Sequence, residues 1–135
     1  AKAANEFSSI GNWDRNRAEF SGVADNSKIN VSGDQAILTS WRRLLDAGSM
    51  QDGEANLAGT ARKSVAVISQ KRAAALGVKN DELLKISNSN GAIVLPALVE
   101  EIHDDAVWVP RNSAGSELLR ILNTASNSVV TVVKA

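Results

Sequence analysis

The chain of 135 residues balances 15 Lys and Arg against 15 Asp and Glu, has no cysteine, and is 44% hydrophobic. That length predicts about one ordinary domain with apolar material for one core, and the lack of cysteine excludes disulfides, iron–sulfur ligation and thiol chemistry from these residues. No apolar run approaches the roughly 20 residues of a membrane helix and the first residues lack a basic-then-apolar leader, so the expectation is a cytoplasmic chain without direct membrane insertion.

The charge is unevenly spread. Ala1 to Ser40 holds four basic and five acidic residues, Trp41 to Asn80 seven and three, and Asp81 to Ala135 four and seven. Nucleic-acid binders concentrate Lys and Arg because phosphate neutralisation supplies most of their affinity. A basic middle diluted by acids predicts no nucleic-acid partner.

In chain order, residues 1–33 form a polar segment rich in Asn and Ser, with Phe7, Ile10, Trp13 and Phe20 as its large apolar anchors. So little apolar surface predicts a loosely structured segment that depends on a host. Residues 34–63 read as an amphipathic helix and a connector. Ile37, Leu38, Trp41, Leu44 and Leu45 fall on one helical face over residues 34–47, with Asp34 as N-cap and Gly48 as stop, and Trp41 would pack that helix onto the strand-rich remainder of the chain. Residues 64–135 read as strand 64–69, helix 70–76, strands 82–87, 92–100 and 106–109, a short helix 116–122 and strand 129–134. Ser69 can cap the first of these helices and Gly77 can end it in the left-handed conformation. Asn90-Gly91 predicts a two-residue turn with positive φ that sets Leu83–Ser87 against Ala92–Val99. The expected core comprises Val65, Val67, Leu84, Ile86, Val94, Val109, Val130 and Val132.

One strand, one short capped helix and then strands joined by a tight turn, over Ser64 to Pro110, resemble the molybdopterin dinucleotide-binding domain that closes the large subunits of molybdenum oxidoreductases. The resemblance implies a double-psi β-barrel, hence a mainly β, α+β chain with short helices. LLDAGSMQDGEANLAGTAR (Leu44 to Arg62) and VWVPRNSAGS (Val107 to Ser116) are similar to the actinobacterial family of G subunits of NADH-quinone oxidoreductase, respiratory complex I. EFSSIGNWDRNRAEF resembles the hairpin that precedes the last domain of molybdopterin enzymes, with Arg15 where that pattern has glycine.

The resemblance implies a C-terminal structural domain of the G subunit, taking part in electron transfer from NADH to quinone without chemistry of its own. Its partners would be the remainder of the G subunit and other complex I subunits in the peripheral arm. Iron–sulfur clusters are then expected in the N-terminal part of the parent polypeptide, and no cofactor in this segment. The alternative is a molybdopterin guanine dinucleotide-binding domain of a formate dehydrogenase-like enzyme.

Catalytic chemistry is hard to assemble from these residues. His103, the only histidine, lies in EEIHDD (Glu100 to Asp105), which reads as a solvated turn between strands and, less simply, as carboxylate and imidazole ligands for a divalent cation. Asn112 and Ser113 precede a helix whose free N–H groups could meet an anion, although the simpler reading is that Ser116 caps that helix, residues 117–122. Cofactor-binding relatives carry a His- and Thr-rich loop at the barrel entrance. Here LAGTARKS offers Thr60, followed by Arg62 and Lys63. Thr60, Arg62, Asn112 and Ser113 are therefore the candidate contacts for a pterin or other anion. No catalytic residue and no metal ligand set is assigned. Trp108, between Val107 and Val109, should face away from the barrel interior toward an interface.

Overall fold

The computed structural model describes residues 28–48, 51 and 53–135. The expectations for the hairpin, Trp13 and most of the polar segment fall on residues 1–27, outside the described ones; residues 28–33 of that segment are described and belong to no helix or strand. Among the described residues nine short elements occur in order: β1 (Gln35–Thr39), α1 (Ala55–Ala58), β2 (Ala66–Ile68), α2 (Gln70–Leu76), β3 (Leu83–Ser87), β4 (Ala92–Val99), β5 (Ala106–Trp108), α3 (Leu118–Ile121) and β6 (Val129–Lys134). Among the described residues no helix is long and apolar enough to cross a membrane.

The six strands close into a barrel in the order β1-β5-β2-β4-β3-β6. β1 runs parallel to β5 and β2 parallel to β4, while β2 and β5 pair antiparallel between them. β3 pairs antiparallel with β4 and β6, and β6 with β1. Exchanging β1, β2 and β3 for β4, β5 and β6 maps every one of these pairings onto another, so the barrel has an internal pseudo-twofold.

The interior is filled from alternate strand positions: Ala36 and Leu38, Ala66 and Ile68, Leu84 and Ile86, Ile93, Leu95 and Ala97, Val107, Val130 and Val132. Ala73 and Val78 close one side. Leu118, which opens α3, and Leu122, which follows it, are fully buried and close another. α2 matches its expected bounds, capped by Ser69 Oγ accepting from the Arg72 N–H at 3.1 Å and ended by Gly77 at φ 62°.

Three expectations are corrected. Residues 34–47 are not a helix. Residues 35–39 are strand β1, residues 40–48 are irregular, and Asp34 accepts a backbone bond from the Val132 N–H instead of capping a helix. The apolar spacing suited a helix, but pairing with β5 on one side and β6 on the other satisfies this backbone, and distant partners outweigh a short periodic signal. The barrel accordingly begins ahead of Ser64.

The β3–β4 connection is also built differently, although its register is the expected one, with Ser87 opposite Ala92 and Leu83 opposite Pro96. Neither Asn90 nor Gly91 has positive φ. Instead the Asn88 N–H donates to the Gly91 carbonyl, and Asn88 Oδ1 accepts from the Asn90 and Gly91 N–H groups. Glycine is required at position 91 by proximity, since a Cβ there would lie 2.5 Å from the Ile121 carbonyl oxygen.

The third correction concerns which face of two strands points inward. Leu84, Ile86, Val109, Val130 and Val132 are buried as expected. Val65 and Val67 are only half-buried, because Ala66 and Ile68 face the interior, and Val94 is 48% exposed between the inward Ile93 and Leu95. A shift of one position reverses the face of a whole strand.

This packing makes the two faces of a strand unequal under mutation. Ile68→Ala should lower stability by about 2–5 kcal/mol in urea unfolding, whereas Val94→Thr should change it by no more than about 0.5 kcal/mol. Gly91→Ala should cost about 1–3 kcal/mol by forcing the turn away from α3, visible as a lower urea midpoint.

Candidate functional site

The chain leaves β1 alongside the strand it pairs with, and that pairing continues past the end of both strands. The Val109 N–H donates to the Thr39 carbonyl at 3.2 Å, Arg111 to Trp41 at 3.1 Å, and Ala47 to Asn112 at 2.7 Å. Residues 40–48 are thus laid against residues 109–113 on the outside of the barrel. Together with the stretch leading into β2 they frame two grooves.

The first groove, of about 670 Å³, is lined by Trp41, Arg43, Leu44, Thr60, Arg62 and Trp108 among others, over a floor that includes Val65, Val67 and Leu98. The Trp41 and Trp108 rings lie 4.7 Å apart between centroids, tilted by 46°. The Arg43 guanidinium sits 5.3 Å from the Trp108 centroid, within cation–π range. Its Nη1 donates to the carbonyls of Arg62 at 3.0 Å and Lys63 at 2.6 Å, tying the loop after β1 to the approach to β2. Burial, and then the neighbouring Arg62 charge, lower the Arg43 pKa from its ordinary value.

The second groove, of about 620 Å³, is lined by Asp46, Gly48, Arg62, Lys63, Ser113 and Gly115 among others. Asp46 accepts from Arg42 Nε at 2.6 Å. That bond above all, with help from the Gly48 backbone and the Asn112 side chain, holds the Asp46 carboxyl below its usual range.

The four candidate contacts do not meet in one place. Thr60 and Arg62 share the first groove, and Arg62 and Ser113 share the second. Asn112 lines a smaller recess with Arg42, Arg111 and Leu119. Thr60 Oγ1 donates to the Leu57 carbonyl at 2.8 Å. Asn112 has its carbonyl bonded to Ala47 and its side chain turned to Asp46. Ser113 is buried, its Oγ without a partner among the described residues. Arg62 is exposed, and its side chain has no hydrogen bond or ion pair among them.

The expected cap is corrected here. Ser116 is fully buried and its Oγ donates to the Ser113 carbonyl, while Glu117 occupies the N-cap position of α3 without a side-chain capping bond, its carboxylate pairing with Arg120 instead. The Leu118 N–H donates to the Arg111 carbonyl, so this helix start is spent on its own loop.

His103 lies on the exposed β4–β5 turn, where Nδ1 accepts from the Asp105 N–H at 3.2 Å. The neighbouring carboxylates face α2: Asp104 pairs with Lys71 at 3.2 Å, and Asp105 lies 3.9 Å from Arg72. Among the described residues no three His, Cys, Asp or Glu side chains are grouped to hold a metal ion.

Trp108 faces outward as expected, but it is only 8% exposed because Trp41 and Arg43 cover it. Trp41 packs from an irregular segment and stays 63% exposed. Arg43 and Asp46 were not singled out by sequence reasoning. The signal that could have found them was the run Trp41-Arg42-Arg43, which sets an aromatic ring beside two cations.

Fold and grooves together define a six-stranded double-psi β-barrel whose accessible recesses lie on its outer surface. The chain belongs to the family described as Molydopterin dinucleotide binding domain, which matches residues 37–133. It is 41% identical over 130 residues to the G subunit of NADH-quinone oxidoreductase from Mycobacterium bovis, an alignment that spans 96% of this chain and 16% of that protein. Against the G subunit from Streptomyces coelicolor it is 38% identical over 111 residues, 82% of this chain and 13% of that protein. The chain therefore spans about one-sixth or less of the length of these relatives. A rationally designed double-psi barrel, apDPBB_sym_79, superposes with a TM-score of 0.51 at 15% identity, covering 75% of this chain and 96% of the design. That likeness concerns the fold alone.

The lowered Asp46 pKa carries a pH signature. A carboxyl group whose folded pKa is depressed contributes stability that is fully present above its ordinary value of 3.8 and is lost as pH falls through the folded value. Urea midpoints followed downward from neutral pH should fall in that acid range. Asp46→Asn should shallow that fall and lower the neutral-pH midpoint.

Proposed function

We propose that this barrel is a structural domain of an NADH-quinone oxidoreductase G subunit, taking part in the transfer of electrons from NADH to quinone without chemistry of its own. Its partners are the remainder of that polypeptide and other subunits of the complex, in a peripheral arm on the cytoplasmic side. Iron–sulfur clusters belong to parts of the longer polypeptide outside this cysteine-free chain.

The observation that carries the reading is where the candidate polar groups direct their hydrogen bonds. A pterin dinucleotide carries two phosphates and a polar bicyclic head, which need several donors converging from one side. Thr60 bonds to Leu57, Asn112 to Ala47 and Asp46, and the Ser116 and Leu118 N–H groups at the start of α3 to Ser113 and Arg111. Only Arg62 among the four candidates presents an unengaged donor at an exposed position, and the Asp46 carboxylate on the same groove opposes a phosphate. These residues do not fit the dinucleotide, and the 41% identity to a G subunit over nearly the whole chain supports the structural role.

Isothermal titration calorimetry of the 135-residue chain with molybdopterin guanine dinucleotide tests this. The expected outcome is no binding in the micromolar range. Micromolar or tighter binding, weakened by Arg62→Ala or Asn112→Ala, would establish the formate dehydrogenase-like alternative instead.

A further inference from the structure

We propose that the groove framed by Trp41, Arg43, Leu44, Arg62 and Trp108 receives an acidic, aliphatic-rich segment of the longer polypeptide to which this barrel belongs. The proposal rests on the structural-domain reading and names the partner surface that it requires.

Three features of the groove point to that occupant. Its apolar surface is contiguous and open: Trp41 is 63% and Leu44 94% exposed, above the half-buried Val65, Val67 and Leu98. Large apolar side chains grouped in this way mark interaction surfaces, whereas scattered ones do not. Its charge is of one sign. The lining holds Arg42, Arg43 and Arg62 and no carboxylate, and Asp46, on the neighbouring groove, neutralises only Arg42. Two cations are left over an apolar floor with a low local dielectric, which favours a carboxylate between them. Finally, the buried indole N–H of Trp108 has no acceptor among the described residues, and a buried tryptophan N–H ordinarily finds one.

The mode of docking is set by the fold. A closed barrel has no free strand edge, so the segment cannot add as a further strand and must engage through side chains. A volume of about 670 Å³ suits a few residues of extended chain rather than a whole domain face. The source is indicated by length, since the relatives that match this chain extend far beyond it, with only 13–16% of their length aligned.

Photocrosslinking in the assembled complex tests the inference. The full-length polypeptide would carry p-benzoylphenylalanine in place of Leu44, whose exposure makes the replacement tolerable to the fold, with the same replacement at exposed Leu119 as control. Mass spectrometry should place the cross-link on a stretch of the same polypeptide, outside these 135 residues, that contains Asp or Glu among aliphatic residues. Its yield should exceed the control about tenfold and fall about fivefold on adding Arg62→Glu. Cross-linking to residues 1–27, to a second copy or to another subunit would overturn the proposal. So would a yield no higher than the control, or one indifferent to Arg62→Glu. These failures leave the functional reading standing, whereas tight dinucleotide binding in the calorimeter removes that reading by itself.

Discussion

The seating of β1 between β5 and β6 is the interaction on which the rest of the molecule depends. Without it, β5 and β6 would each present a row of unpaired N–H and C=O groups, and the sheet would have two open edges instead of none. The same pairing decides what lies on the surface. Because β1 runs parallel to β5, the chain leaving β1 travels beside the chain leaving β5, and residues 40–48 are zipped to residues 109–113 by backbone bonds. Both outer grooves, the Trp41–Trp108 contact and the Arg43 clamp on the entry to β2 exist because of that juxtaposition.

Much of the fold was legible in the sequence where local chemistry decides it. Ser69 and Gly77 delimit α2 through one capping bond and one left-handed residue, and the valine-rich run at the end of the chain reads directly as β6. β1 was illegible for a physical reason. Its partners lie far along the chain, and five apolar residues at helical spacing are a stronger local signal than a five-residue strand. Symmetry held the missing clue: the elements read from Ser64 onward contain five strands, and five cannot divide into two equivalent halves. β1 is the counterpart of β4, with β5 related to β2. The inward face of β2 was illegible too, since a three-residue strand has a two-residue period but no local feature that fixes its phase. Alanine faces inward at Ala36, Ala66 and Ala97, where a narrow barrel has little room, and the bulkier Val65 and Val67 go to the outer face.

The candidate site was legible only as a set of loops. Gly-containing stretches at residues 59–62 and 112–116 do line grooves, but what their side chains can do depends on hydrogen bonds made to segments distant in sequence. Asn112 is engaged by Ala47 and Asp46, and those residues are placed by β1. The interior is filled by the buried apolar side chains of the core. Leu118 and Leu122 are buried within it, and the Asn88 and Asn90 side-chain amides both donate to the Leu122 carbonyl, at 2.8 and 3.0 Å, fastening that plug to the β3–β4 turn. This barrel is a solid body that works through its outer surface.

The circular strand order also has a consequence in time. β3 and β4 are adjacent both in the sequence and in the sheet, so that hairpin can form as soon as it is made. Every other pairing joins strands separated by intervening elements, and the two that close the ring need β6, the last of the six barrel strands to leave a ribosome. During synthesis β1 must therefore wait, apolar on one side, for β5 and β6 to emerge before both its edges are paired. High contact order of this kind places folding in the millisecond-to-second range typical of non-local β topologies, long after the helix and the hairpin have settled. Any domain encoded ahead of this barrel has the opportunity to fold first and to offer the waiting strand a neighbour.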